Sequence, residues 1–300
     1  MSNQPFLMRS LMFVPAHNQR LMDSSIKTEA DVLLPDIEDS VLPVENKQKA
    51  RDNIKNMLLD GKFNGYRVFP RVNDRESGEL LKDVYQLSML GIDGFMYPKS
   101  QTGEDIYFFD KLLETIEYEK SLPVGTFKII PLIETAAAVL NAQEICKASS
   151  RVVAIAFGCE DFLTDLEGIH DEAGQSIFTA RAIISMAARA NNVIPIDTVH
   201  VRIHDLEELE NNLKVAKKLG FEGMLILHPK ELPLAHQYFS PNEQEVEDAK
   251  TMLKSAEEAK KDAKGVALMN GKFIGPPMVA TANKILKKHE LIYNKTRNKS

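Results

Sequence analysis

Two carboxylates interrupt apolar segments in the middle of this chain, and an arginine does the same nearer its start. Glu134 closes Lys128-Ile129-Ile130-Pro131-Leu132-Ile133, and Asp161 follows Ala154-Ile155-Ala156-Phe157-Gly158-Cys159-Glu160. If these are successive parallel strands, their ends lie about 5 Å apart. Carboxylates that close repel unless a proton or cation separates them. Together with waters and substrate oxygens, such a pair is the usual protein ligation for Mg²⁺. Salt bridges from each carboxylate to a strand lysine or arginine are the competing reading. Gly158 would let the backbone approach a ligand closely.

Arg71, followed by Val72-Asn73, could hold a substrate carboxylate through its planar fork. It could equally form a structural ion pair with Asp36, Glu38 and Asp39, an acidic group too dense for a core. That group could instead hydrogen-bond metal-bound water or orient Arg71. Lys99 and His228 also end apolar runs; a structural or anion-binding role suits Lys99, and a structural one His228. Cys146 and Cys159 have neither disulfide-framework nor metal-ligand spacing and read as small buried residues.

The elements that must position these groups are apolar runs at residues 10–14, 32–34, 67–72, 94–97, 128–133, 152–157, 194–199 and 223–227. Runs without alternation are the signature of parallel strands buried on both faces. Helical patterns fill the intervals, at 44–59, 78–90, 104–120, 136–147, 177–190 and 206–219, several of them stopped by glycine. Strand and helix in alternation imply parallel pairing with right-handed crossovers. Eight such units predict an α/β fold, a (β/α)8 TIM barrel, whose chemistry sits at the carboxyl ends of the strands. No glycine-rich phosphate loop follows the first strand, which disfavours an open doubly wound sheet. Residues 1–239 are expected to form the barrel and 240–300 a C-terminal helical lid or oligomerisation extension, with helices near 242–263 and 278–291. The basic tail from Lys295 is expected to be disordered.

Three hundred residues with 44% hydrophobic and 27% charged content fit a globular protein of this size. A net charge of −6 without a basic stripe argues against nucleic acid. The longest apolar run is too short to cross a bilayer, and no secretory signal pattern opens the chain, so a cytoplasmic protein is expected.

Several segments occur together in a familiar order. They are Arg9-Ser10-Leu11-Met12-Phe13-Val14-Pro15, Asp36-Ile37-Glu38-Asp39-Ser40-Val41, Arg71-Val72-Asn73 and Pro98-Lys99. Ile133-Glu134-Thr135, Gly158-Cys159-Glu160-Asp161-Phe162, His228-Pro229-Lys230 and Phe239-Ser240-Pro241 follow. The chain resembles the citrate lyase beta subunit-like family, within the metal-dependent barrels that include malyl-CoA and citramalyl-CoA lyases. The resemblance implies that Glu134 and Asp161 ligate Mg²⁺ and bind substrate through it. It further implies that Arg71 binds the oxo-acid carboxylate, and that Glu38 and Asp39 hold metal-bound waters. Arg9 would join the same charged floor or touch the ligand. The implied reaction splits a hydroxy-acyl thioester of CoA or an acyl carrier into an acyl thioester and a 2-oxo acid, or runs the reverse. A homotrimer, with citrate lyase alpha and gamma subunits as further partners, is implied as well. Alternatives are a metal-dependent aldolase on free hydroxy-oxo acids, or a non-catalytic subunit that binds an oxo acid or acyl thioester.

One departure bears on the chemistry. Where much of that family has an aspartate that would act as acid/base at the thioester α-carbon, this chain has Gly275, before Pro276-Pro277. Glycine cannot move a proton. Ala16 and Glu231 are smaller departures, at positions where glycine and glutamine are common.

Overall fold

The computed structural model describes residues 6–169, 171, 174–261, 267–269 and 272–297. Eight parallel strands form the central sheet: β1 (Ser10–Pro15), β2 (Val32–Asp36), β3 (Arg67–Val68), β4 (Gly94–Tyr97), β5 (Lys128–Ile133), β6 (Ala154–Phe157), β7 (Ile194–Asp197) and β8 (Gly223–Ile226). Apart from β3 and β4, each strand pairs with the next in sequence, and β8 returns to β1 through Ser10 opposite Met224. Closure between β3 and β4 falls to Arg71, which bridges Asp36 on one side and Met96 on the other. The fold is therefore the expected (β/α)8 barrel.

The third strand is shorter than the apolar run 67–72 suggests. The Phe69 and Arg71 amides keep bonding to the Leu33 and Pro35 carbonyls of β2, but Pro70 has no N–H to give on the β4 side, so the regular strand is confined to Arg67–Val68 and pairing toward β4 falls to the Arg71 bridge. The interval 136–147 holds two helices, α5 (Ala136–Leu140) and α6 (Ala142–Lys147), broken at Asn141. The helix sought over 78–90 is α3 (Leu80–Leu87), preceded by a 3-10 turn at Arg75–Ser77. Before these lie α1 (Gln19–Ser25) and α2 (Asn46–Leu59), and after α3 comes α4 (Gly103–Glu119). Further helices follow β6, β7 and β8: α7 (Cys159–Asp165), α8 (Gln175–Ala190), α9 (Leu206–Leu219) and α10 (Leu232–Phe239).

Residues 8–235 form one compact unit, and the chain from His236 on, with the residues before Met8, belongs to a second. In the second unit α11 (Glu243–Lys261) packs on α12 (Pro276–Arg297), and a two-stranded antiparallel ribbon pairs Ala267–Met269 with Lys272–Ile274. Helix α12 carries Lys295–Arg297, so the start of the supposed disordered tail is helical. No helix among the described residues is long and apolar enough to cross a membrane.

The core lies inside the barrel and between the strands and their helices. Leu11, Leu33, Ile129, Ile155 and Phe157 are fully buried, and the rings of Tyr97 and Phe109 stack at 4.2 Å. The amino ends of the strands are stitched by buried or half-buried ion pairs. Arg9 meets Asp31 at the starts of β1 and β2, and Arg67 meets Asp93 at the starts of β3 and β4. Arg151, just before β6, gives both Nη atoms to the fully buried Glu117 at 2.7 Å, Nε to Asp110, and a further bond to the Phe127 carbonyl.

Removing one partner of such a pair strands the other charge in the interior. Arg151→Met is expected to cost about 3–5 kcal/mol of unfolding free energy, read from urea unfolding of the barrel. A loss below about 1 kcal/mol would mean that Glu117 is served well enough by the Gly125 and Phe127 amides alone.

Candidate active site

At the carboxyl ends of β2 to β6 the chain gathers Asp36, Glu38 and Asp39, then Arg71, Asp74, Lys99, Glu134 and Asp161. Asp36, the last residue of β2, accepts from Arg71 Nε and Nη2, both at 2.7 Å. Its carboxylate also caps the following turn by accepting from the Glu38 and Ser40 amides. Burial opposes ionisation of Asp36, but Arg71 and these amides outweigh it and hold its carboxyl below the usual range.

Arg71 therefore spends one edge of its fork on Asp36, the ion pair that the sequence left open. Its Nη1 turns to Glu38 Oε2 at 3.1 Å and Asp39 Oδ2 at 3.2 Å, and its guanidinium covers the Phe13 ring at 4.7 Å. Asp39 is solvent-exposed, whereas Glu38 is buried. The far side of Glu38 meets Lys99 Nζ at 2.9 Å, yet neither Glu38 oxygen has a donor aligned for a hydrogen bond. Burial pushes the Glu38 carboxyl up to about 7, with Arg71 and Lys99 pulling against Asp39.

Glu134, at the end of β5, is buried, and its Oε2 accepts the Lys99 amide at 2.9 Å. Lys99 adopts φ of 53°, a left-handed backbone that a side chain disfavours. The tight turn after Tyr97-Pro98 thus aims a backbone donor at Glu134 while its ammonium reaches Glu38 and Asp74. Burial resists that ammonium's charge, but Glu38, Asp39 and Asp74 prevail and raise its pKa. It stays protonated, which removes a Schiff-base role.

Behind Glu134 the backbone of Gly158 comes so close that a Cβ there would stand 2.7 Å from Glu134 Cγ. No residue but glycine fits without displacing the carboxylate. Asp161 lies in the exposed first turn of α7 rather than at the strand end itself. It is near enough for its charge to help raise Glu134, after burial and the charge of Glu38; Lys99 N–H and Arg71 offset only part, leaving the carboxyl at about 8.

The balance of this mouth is six carboxyl groups against Arg71 and Lys99. Glu134 faces like charges from two sides, and the buried Glu38 oxygens meet Arg71 and Lys99 without an aligned hydrogen bond, so a hard divalent cation with its waters fits the donor set. Glu134 and Asp161 would hold it, and Glu38 would accept from its waters. Among the described residues no group of three or more His, Cys, Asp or Glu is arranged as an all-protein cage.

Arg9 is a correction. It precedes β1, so the strand direction puts it at the opposite end of the barrel, where its backbone N and its guanidinium are taken by Asp31 at 2.8–2.9 Å. It cannot join the charged floor of the mouth. His228 caps the next turn by accepting the Lys230 amide, the structural role expected of it. Both cysteines are buried, and burial pushes each thiol up to about 12, so neither supplies a thiolate at neutral pH. The sequence missed the Lys99 backbone; its only trace is the dipeptide Pro98-Lys99 after a strand.

Comparison with known proteins follows the same lines. The HpcH/HpaI aldolase/citrate lyase family model matches residues 9–229. The chain belongs to that family. It is 31% identical over 285 residues to the citrate lyase subunit beta of Leuconostoc mesenteroides subsp. cremoris, covering 95% of this chain and 94% of the relative. It is 28% identical over 306 residues to the L-malyl-CoA/beta-methylmalyl-CoA lyase of Cereibacter sphaeroides, covering 95% of each. Among solved structures, CitE of Mycobacterium tuberculosis with magnesium, acetoacetate and coenzyme A superposes with a TM-score of 0.73 at 23% identity, covering 94% of this chain and 98% of that one. A citrate lyase from Burkholderia xenovorans reaches 0.81 at 18% identity, covering 94% and 92%. At those identities the structures speak for the fold alone.

The raised carboxyls of Glu134 and Glu38 fix the sign of a pH effect. A carboxyl held above its unfolded value near 4.5 stabilises the metal-free fold at low pH, and that stability is lost as pH rises toward 7–8. Metal-free protein is expected to lose thermal stability between pH 5 and 8.5, and Glu134→Gln to lose distinctly less over the same range. Parallel curves for native and variant would show that Glu134 titrates normally.

Proposed function

We propose that this protein is a Mg²⁺-dependent carbon–carbon lyase. It would split a hydroxy-acyl thioester of CoA or an acyl carrier into an acyl thioester and a 2-oxo acid, or catalyse the reverse condensation. The observation that carries the proposal is the buried Glu134 carboxylate among like charges, with an arginine and a lysine beside it in a barrel mouth. Family membership supports the lyase class, and the named activities of the relatives support the thioester and oxo-acid halves.

Mg²⁺ held by Glu134 and Asp161 would supply Lewis acidity to the oxygen that becomes the 2-oxo group. The chain's own residues do the rest. Arg71, held by Asp36 through Nε and Nη2, would turn Nη1, which faces Glu38 and Asp39, to the carboxylate of the oxo-acid part, a positioning role. Glu38, buried between Arg71 and Lys99 with its carboxyl pushed up to about 7 by burial, would take the substrate hydroxyl proton. As that O–H bond breaks, the carbon–carbon bond opens, its electron pair passes to the thioester as an enolate, and the oxygen becomes a carbonyl. Lys99 keeps a positive charge beside Glu38 and restrains Glu134 through its backbone. A proton must then reach the α-carbon.

Gly275 favours a second reading. It is buried, and its carbonyl starts α12 by accepting the Met278 and Val279 amides. With no side chain there, the proton-transfer group that the resemblance implies is missing, while an aldolase on free hydroxy-oxo acids would not need it. A trimer and association with citrate lyase alpha and gamma subunits are part of the proposal, and light scattering with and without those subunits tests them.

The deciding experiment follows oxo-acid release with Mg²⁺ from citryl, malyl and citramalyl thioesters and from the free hydroxy acids. Thioester cleavage supports the first reading and free-acid cleavage alone the second. No release from any of them, with no Mg²⁺-dependent oxo-acid binding, would end both. Arg71→Lys should weaken oxo-acid binding by about tenfold despite its charge, because the planar fork is lost; titration calorimetry with pyruvate, glyoxylate and oxaloacetate measures it. Gly275→Asp should speed Mg²⁺-dependent deuterium exchange at the acetyl-CoA α-carbon by at least about tenfold. Rapid exchange by the native protein would place the proton-transfer group elsewhere.

A further inference from the structure

A buried ammonium lies under the acidic turn, and nothing above uses it. Lys47 sits in the first turn of α2 with only 9% of its surface exposed. Its Nζ donates to the Ile37 carbonyl at 3.2 Å, to the Glu38 carbonyl at 3.4 Å, and to Asn73 Oδ1. An ammonium has three donors, and all three are assigned. The acceptors belong to two separate strand-end loops: the turn after β2 that bears Glu38, and the segment after β3 that bears Arg71 two residues earlier.

Asn73 is itself held. Its backbone N and its Nδ2 both donate to Asp83 Oδ2, at 2.8 and 2.6 Å, which turns Oδ1 toward Lys47. Asp83 is fully buried and takes Arg51 Nη1 at 2.7 Å; Arg51 also reaches Glu79 at 2.8 Å. The contacts run from α2 through both loops to α3 and back to α2.

We propose that Lys47 is the positioning residue that sets the Glu38 carboxylate between Arg71 and Lys99. Only the role of Glu38 in this argument rests on the proposed function. Arg71 and Lys99 flank the Glu38 carboxylate as ion pairs without an aligned hydrogen bond, so its backbone shares in fixing where the group stands. The amides of Ile37, Glu38 and Ser40 are tied to Arg71 O and Asp36, and the two carbonyls on the other side of that turn are tied to Lys47. Packing alone would not ask for a lysine, because an apolar side chain of that volume avoids desolvating a charge. A cation with three fixed acceptors buys registry between two loops. Misplacing a reacting group by about 1 Å can cost on the order of 10²-fold in rate.

The test compares Lys47→Met and Lys47→Arg with the native full-length protein. Two readouts are taken: amide hydrogen exchange at Glu38 and Ser40, and the kinetics of Mg²⁺-dependent oxo-acid release. Lys47→Met is expected to fold, to exchange those amides at least about tenfold faster, and to lose about 10–100-fold in kcat with KM changed by less than about twofold. Lys47→Arg should recover part of both. If Lys47→Met does not fold, the neutral, near-isosteric Lys47→Gln carries the same expectations. A folded Met or Gln variant with native exchange at both amides, or with native kcat, overturns the proposal. Exchange needs no activity, so a native protein inactive on every substrate would end the proposed function while the exchange result still decides the role of Lys47.

Discussion

The constraint on which the site depends is a carboxylate placed where a carboxylate should not be. Glu134 ends an apolar strand, is buried, and faces the charges of Glu38 and Asp161. Desolvation and like-charge repulsion both oppose its ionisation. The surrounding geometry holds it there regardless: Gly158 yields the space for its stem, and Lys99 accepts a disfavoured backbone to give it one donor. Strain accepted at one residue and a missing side chain at another make sense together only if the buried charge has a use. On the proposed reading, a divalent cation would convert the repulsion into ligation.

The two ends of the barrel treat charge in opposite ways. At the amino ends Arg9 answers Asp31, Arg67 answers Asp93, and Arg151 answers Glu117. Each pair joins neighbouring strand–helix units and satisfies its carboxylate within the fold. At the carboxyl ends the count is unbalanced, with carboxyls in excess over Arg71 and Lys99. This division is the one expected of barrels, with stability at one face and chemistry at the other. It also explains why an arginine in the first quoted motif proved structural. Arg9 lies at the wrong end of its strand, a distinction that strand direction makes and residue type does not.

Most of the barrel was legible because the apolar runs lack alternation, and parallel strands buried on both faces leave that trace. The interruptions were less legible. Pro70 shortened β3, and Asn141 split one expected helix into two, because a single backbone donor or cap decides such points and neither changes the periodicity. Glu134 stood out as a charge closing an apolar run, and Gly158 as a glycine beside it. The pairing of Arg71 with Asp36 was one of two readings that spacing could not separate. Lys47 was invisible: a lysine in the first turn of a helix reads as solvated surface, and only the tertiary structure turns it inward against two carbonyls and Asn73. Contacts between loops far apart in sequence have no local signature.

On the proposed reading, Gly275 leaves one step of the reaction without a side chain of its own. The oxo-acid half is built from side chains whose positions are each determined by a partner: Asp36 for Arg71, Lys99 for Glu134, the backbone of the turn for Glu38. In the proposed reaction, breaking the carbon–carbon bond would need those groups, because charge would develop first on the oxygens they surround. Completing turnover on a thioester needs a proton at carbon as well, and a glycine contributes none. Cleavage and α-carbon protonation are separate steps, so one can be well equipped while the other is slow. Water could serve the second step at a rate lower by the roughly 10²–10⁴-fold that a positioned acid/base group typically contributes. A chain so arranged would bind its oxo acid well and turn over a thioester slowly, which makes the ratio of those two properties, rather than either alone, the signature of this sequence.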